Sequence, residues 1–137
     1  RFLIHAVKDP KGANLDRVQV VKGWLDSAGK SQEKVFNVSW SGDRQLDANG
    51  MLASVGDTVD RSVPNYTNTI GAAEISTVWE DSTFDVNQRA FYYVRVLQIP
   101  TPRHSLYDAV ALQIDAPEEG PAVIQERAYT SPIWYTP

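Results

Sequence analysis

The chain has 137 residues, the length of one domain with one hydrophobic core. Its 13 basic and 17 acidic residues give a formal net charge of -4, which argues against nucleic-acid binding, because that function needs a basic face. There is no cysteine, so disulfides, thiolate catalysis and cysteine-ligated zinc are excluded. No apolar run approaches the roughly 20 residues of a membrane span.

The first half of the chain carries strand patterns and turn signals, and no segment of ten or more residues keeps the apolar spacing of a helix. The turn signal at residues 27–30 indicates a hairpin between the second and third strands. Lys22–Gly23 is a candidate bulge in the second strand. Alternation in the third strand turns Phe36 and Trp40 to the same face. These strands are predicted over residues 2–7, 16–26, 33–40 and 70–80.

Residues 41–69 form the least regular stretch, and we expect a long excursion there with one short strand near residues 57–61. Loops of this length are uncommon unless they have a function or cover another part of the molecule. The Asp-Ala-Asn-Gly sequence that begins at Asp47 resembles the start of a calcium-binding loop. However, Thr58 stands where the twelfth-position glutamate would be, so a tight turn is favoured.

The second half contains the strongest strand pattern, at residues 89–99, with apolar and aromatic side chains on both faces as a central strand requires. Pro100 and Pro102 are expected to end its pairing. Residues 103–112 are ambiguous and admit a single helical turn. The last strand is predicted over residues 123–129, with a break at Ser131–Pro132 and a continuation at 133–135.

About seven strands joined by turns predict an all-β fold. We expect one antiparallel β-sandwich over residues 1–137, with Greek-key connections of the immunoglobulin-like kind. A β-barrel is the alternative architecture.

Groups that could carry catalysis are sparse. His5 lies within a predicted strand and His104 in a predicted loop, so a metal site with three protein ligands is not expected. The neighbouring carboxylates Glu80–Asp81 and Glu118–Glu119 are expected to be solvated. No nucleophile elbow or phosphate-binding loop is present. We therefore predict no catalytic residue, no metal ligand and no cofactor in this chain.

Aromatic residues are the remaining feature, because the chain has four tryptophans, six tyrosines and four phenylalanines. Phe36, Trp40, Trp79 and Phe91 are predicted to fill the core. The sequence does not decide whether four other aromatic side chains lie in the core or on the surface; these are Tyr92, Tyr107, Tyr129 and Trp134. Aromatic residues exposed on one sheet face would suit a sugar-binding module or a domain interface. The candidate interdomain or ligand contacts are Asp43, Arg44, Arg103, His104 and Tyr107.

Four long strings carry a resemblance to a known family. They are DPKGANLDRVQVVKGWLD at 9–26, EKVFNVSWSGDR at 33–44, TVWEDSTFDVNQRAFYYVRVLQIPTPR at 77–103 and QERAYTSPIWYTP at 125–137. Together they resemble the C-terminal part of the bacterial family called domain of unknown function 3604. One departure is His104, where tryptophan is expected from the family pattern.

The resemblance implies a β-sandwich that ends a larger protein, whose upstream part is similar to PHP-type metal-dependent phosphoesterases. The family's metal ligands would lie in that upstream part, so none is transferred to this chain. We expect a non-catalytic accessory module that packs on and supports the upstream domain, and the 41–69 and 100–108 loops are the first places to look for contacts with that domain's active site. An independent carbohydrate-binding module is the alternative, and an enzyme is a third hypothesis. A signal peptide upstream would place the protein in the periplasm or outside the cell.

Overall fold

The computed structural model describes residues 1–115 and 120–137, so the Glu118–Glu119 pair lies outside the described residues. The described part contains nine strands and one helix. The strands are β1 (Phe2–Val7), β2 (Leu15–Leu25), β3 (Ser31–Trp40), β4 (Glu74–Trp79), β5 (Ala90–Gln98), β6 (Thr101–Pro102), β7 (Val123–Ile124), β8 (Arg127–Tyr129) and β9 (Ile133–Tyr135). The helix α1 spans His104–Leu112.

The strands form two facing antiparallel sheets, which confirms the predicted all-β sandwich. The larger sheet has the order β3-β2-β5, and β8 and β9 both pair with the far edge of β5. The smaller sheet contains β1 and β4, while β6 and β7 form a short separate ribbon. No barrel closes among the strands that the structure describes. The break predicted at Ser131–Pro132 is confirmed, because it separates β8 from β9.

Side-chain alternation along β2 and β5 builds the core between the sheets. Val18 and Val20 are fully buried there against Ile4 of β1 and Ile75 of β4. Burying side chains of this kind stabilises a fold by about 1.5–3 kcal/mol each. Trp79 packs on Phe36 with ring centroids 5.0 Å apart, as expected for core aromatics. Tyr92, which the sequence left open, also belongs to this core.

Three local predictions were wrong. The pairing of β2 is regular at Lys22–Gly23, and its register shifts occur nearer the start of the strand, at Val18/Gln19 and Leu15/Arg17. Residues 57–61 form no strand: Asp60 makes a single bridge to Asn65, and its side chain accepts backbone hydrogen bonds that close a turn. The helix α1 is longer than one turn, because it buries Leu106 and Ala109 and ends at left-handed Gln113.

The 41–69 excursion is tied to the start of β2 at both ends. Near its beginning, the Arg44 guanidinium donates to the backbone oxygen of Asp16 at 3.1 Å. Near its end, the side chain of Asn68 accepts a 2.8 Å hydrogen bond from the Asn14 backbone, and Asn14 donates in turn to the Ile70 carbonyl. Inside the excursion, Asp47 accepts the backbone N–H groups of Asn49 and Met51, which confirms the expected tight turn.

A buried ion pair joins the two sheets. The ammonium of Lys22, on β2, lies 2.5 Å from Asp81 Oδ2, and both side chains are almost fully buried. Tyr92 donates its hydroxyl to the same oxygen at 2.8 Å, and Thr83 donates to the other one. Asp81 was predicted to be solvated, and this is wrong: it lies two residues beyond the end of β4, where Lys22 and Tyr92 of the facing sheet hold its carboxylate in the gap between the sheets.

These contacts set the ionisation of the network. Burial alone would raise the pKa of Asp81, but hydrogen bonds from Lys22, Thr83 and Tyr92 outweigh burial and lower that pKa to about 2. The pKa of the Tyr92 hydroxyl is raised, because burial and the adjacent Asp81 carboxylate both disfavour the phenolate. The network therefore holds an ionised Asp81 carboxylate beside a neutral Tyr92 hydroxyl.

We predict that this network loses its stabilising effect in acid. The Asp81 carboxyl takes up a proton near pH 3.8 in the unfolded chain but only near pH 2 in the folded protein. Its contribution, about 2 kcal/mol, is therefore present above pH 4 and is lost as the pH falls to about 2. Urea unfolding should show that the stability difference between wild type and Asp81→Asn shrinks by that amount. Asp43→Asn, which removes an exposed carboxylate, is the control, and an unchanged difference would contradict the prediction.

Candidate functional site

The candidate residues Asp43 and Arg44 lie at the start of the 41–69 excursion. Asp43 is exposed, whereas the Arg44 guanidinium is half-buried and turned inward. It contacts the fully buried Asp16 carboxylate, with Nη2 2.7 Å from Oδ1, although no N–H is aligned for a hydrogen bond to that oxygen. Arg17 and Gln125 donate to the other carboxylate oxygen. The structure therefore gives Arg44 a structural contact within this domain.

The other three candidates lie together where α1 begins. Arg103 immediately precedes the helix, and its backbone N–H donates to the Ala122 carbonyl. His104 Nδ1 lies 3.0 Å from Asp108 Oδ2, one helical turn away. Tyr107 is about half exposed. These side chains form a solvated surface, and their roles as partner or ligand contacts stay predictions.

Sequence reasoning missed an aromatic surface on the outer face of the larger sheet. Phe91 was predicted to fill the core, and this is wrong, because the core side of β5 carries Ala90, Tyr92, Val94 and Val96. Phe91 and Tyr93 alternate with these residues and point outward. Trp134 of β9 pairs with Phe91, and the two rings contact at a tilt of 46° with centroids 5.2 Å apart. The ring centroids of Tyr129, on β8, and Tyr93 are 6.1 Å apart.

One register row crosses the whole outer face. Glu33 on β3 pairs with Gly23 on β2, Gly23 pairs with Phe91, and Phe91 pairs with Trp134. A Cβ at position 23 would overlap two ring carbons of Phe91, so the far edge of the ring lies directly over the glycine. Gly23 therefore provides the space for this ring. A glycine within a predicted strand was the one sign in the sequence that a large side chain of a neighbouring strand, here Phe91, could lie over it on the outer face.

A groove of about 520 Å³ follows this row. Phe91 and Trp134 supply its aromatic surface, and Trp134 has 72% of its area exposed. The charged residues Glu33 and Arg89 also line the groove. This combination of flat rings and hydrogen-bonding groups can hold a ligand, but it contains no pairing of nucleophile and base.

A second unusual surface is the outer face of the smaller sheet. Leu3 and Val78 are directly opposed on β1 and β4, and their side chains are 83% and 64% exposed. Val7 extends the same apolar face, while His5 and Ser76 form a hydrogen-bonded pair between these residues. The outer face of a sheet normally faces water with polar side chains. On this face the opposed Leu3 and Val78 form an exposed apolar patch of the kind that contact surfaces carry, while the exposed Glu74 lies opposite Val7.

No group of three or more histidine, aspartate or glutamate side chains in the described residues is arranged to hold a metal ion. Within the same residues, α1 is too short to cross a bilayer.

Comparison with known proteins identifies a family. The model of a family described as a protein of unknown function (DUF3604) matches residues 1–137. No curated protein matches the chain, and no solved structure matches it.

We predict that Gly23→Ala displaces Phe91 from the sheet surface. The added methyl group overlaps the ring, so the substitution should destabilise the domain by roughly 1–3 kcal/mol, as overpacking does elsewhere. Adding Phe91→Ala removes the overlap, so this second substitution should cost less in the Gly23→Ala background than in wild type. Urea unfolding of the two single variants and the double variant measures this coupling. Strictly additive effects would contradict the prediction.

Proposed function

We propose that this chain, which belongs to the DUF3604 family over residues 1–137, is an accessory module. The function of that family is unknown. In this proposal the domain performs no catalysis and packs on an upstream domain of the same polypeptide. The observation that supports it is the apolar outer face of the β1–β4 sheet.

That face fits a protein partner better than it fits water. Leu3 and Val78 expose branched apolar side chains directly opposite each other, and Val7 adds a third one beyond the His5–Ser76 pair and opposite the exposed Glu74. Removing such groups from water contributes about 25 cal/mol per Å² of apolar area. Within this face His5 Nδ1 and the Ser76 hydroxyl bond each other at 2.6 Å, so covering the face leaves that hydrogen bond intact.

The docking proposal predicts that charge on this face loosens the contact. Leu3→Lys combined with Val78→Lys in the full polypeptide should increase hydrogen exchange of β1 and β4 by about tenfold or more, because burying one leucine is worth about 1.5–3 kcal/mol. Met51→Lys is the matched control, since Met51 is 66% exposed in the 41–69 excursion. Equal exchange in the two variants would count against docking through this face.

A second candidate function is binding of a saccharide, and the aromatic row on the opposite outer face favours it. The flat face of a sugar ring can stack on Trp134 and Phe91, while Glu33 and Arg89 can hydrogen-bond its hydroxyls.

The saccharide candidate predicts binding that depends on Trp134. Titration with cello-, xylo- or chitohexaose should change the tryptophan fluorescence of the wild type, and calorimetry should give at least about tenfold weaker binding to Trp134→Ala. Met51→Ala, which removes an exposed side chain from the 41–69 excursion, should bind as the wild type does. If none of the three sugars binds the wild type, this candidate is dropped.

A further inference from the structure

The sandwich is open on one side. Ile133 of β9 pairs with Tyr92, and Ala128 of β8 pairs with Val96, so both residues lie on the inner face of the larger sheet. Both are nevertheless exposed, Ile133 by 54%. Val96 itself is only half-buried. The smaller sheet therefore leaves an inner, apolar strip of β5, β8 and β9 uncovered.

Two hollows lie along this strip beside the edge of β1, and we refer to them together as the trough. One part, of about 510 Å³, lies between residues 5–9 and the strands that carry Val96 and Ala128. The other part, of about 240 Å³, lies between Phe2 and the strand that carries Ile133. The trough thus occupies the position that a third strand of the smaller sheet would take.

The backbone of β1 presents unpaired hydrogen-bonding groups to this trough. Within the described residues β1 pairs only with β4. The Lys8 N–H donates to the Ala73 carbonyl, one position beyond the Val7–Glu74 pair. Because bonded and non-bonded pairs alternate in an antiparallel ladder, the N–H and C=O groups of Leu3, His5 and Val7 point to the free edge.

The sequence of β1 has none of the devices that protect a free edge. Residues 2–7 contain no lysine, no carboxylate and no proline, and their pairing with β4 has no bulge. Unprotected edges of this kind recruit another strand. By contrast, β3, an edge of the larger sheet, carries Glu33 and Lys34.

We infer that the trough receives an extended segment of the upstream domain, which adds to β1 as a third strand. This inference rests on the proposed packing of the two domains and specifies how they join. Backbone hydrogen bonds to Leu3, His5 and Val7 supply the pairing, and apolar side chains at alternate positions of the added strand cover the inner strip of β5, β8 and β9. A helix would leave the groups at the β1 edge unpaired.

Amide hydrogen exchange measured residue by residue tests this pairing. In the 137-residue chain, the amides of Ile4 and Ala6, which face β4, should exchange slowly, and those of Leu3, His5 and Val7 rapidly. In the full polypeptide the latter three should slow by at least about tenfold. Val7→Pro and Val7→Ala both replace the valine side chain, but only proline also removes the backbone N–H of residue 7, which points to the free edge of β1. In the full polypeptide, Val7→Pro should therefore restore faster exchange at Leu3 and His5 than Val7→Ala does.

Each other outcome has a definite meaning, and the wild-type pattern alone decides the case if a variant does not fold. Strand addition is overturned, and domain packing stays in place, if two results are found together. The double variant Leu3→Lys with Val78→Lys exchanges faster than wild type in the full polypeptide, but the wild-type amides of Leu3, His5 and Val7 exchange no more slowly there than in the 137-residue chain. Exchange throughout β1 and β4 that is the same in the full polypeptide as in the 137-residue chain overturns both strand addition and domain packing. Slow exchange of the three amides that depends on the concentration of the 137-residue chain identifies a second copy as the occupant, and also overturns the inference.

Discussion

Two strands cover a sheet of greater width, and this mismatch governs most of what distinguishes the molecule. Above β2 the cover is complete, and Val18 and Val20 are sealed from water. Asp81 extends the cover at one end by bonding Lys22 and Tyr92 across the gap. Beyond β5 the cover stops, and apolar side chains that point inward reach solvent. The sealed part contains the buried core, while the proposed contacts lie in the open part and on the outer faces.

The strands and the sandwich could be predicted because both depend on short-range patterns, the period-two alternation and the turn residues between strands. The faces could not be assigned in the same way. A central strand such as β5 is apolar on both sides, so alternation groups Phe91 with Tyr93 but does not say which side meets the other sheet. Gly23 carries that information only once its pairing with Phe91 is known.

Charged residues were harder to place from sequence than apolar ones. Arg44 was a candidate for an external contact, yet it turns inward because Asp16, distant in sequence, is fully buried beside it. The residues around Asp81 in the sequence are those of an ordinary solvated turn. Its burial is explained by its long-range partners on the facing sheet, Lys22 above all. Long-range partners of this kind leave no local pattern.

The two proposed surfaces do not compete. The apolar face of β1 and β4 and the aromatic row of β5 and β9 are the outer faces of opposite sheets. A domain held through the first can still present Trp134 to solvent. The proposals therefore remain compatible, and each depends on different side chains.

The anchoring of the 41–69 excursion has a consequence for variation in length. Its two ends are held by Asn14 and Asp16, close neighbours at the start of β2, so the residues between them form a nearly closed loop. The entropic cost of closing a flexible loop rises by only about 0.6 kcal/mol for each doubling of its length. Insertions at its exposed turns, away from the buried Leu52 and Val59, therefore change the free energy of folding little while the two anchors persist, and these turns are where a designer could graft a new sequence.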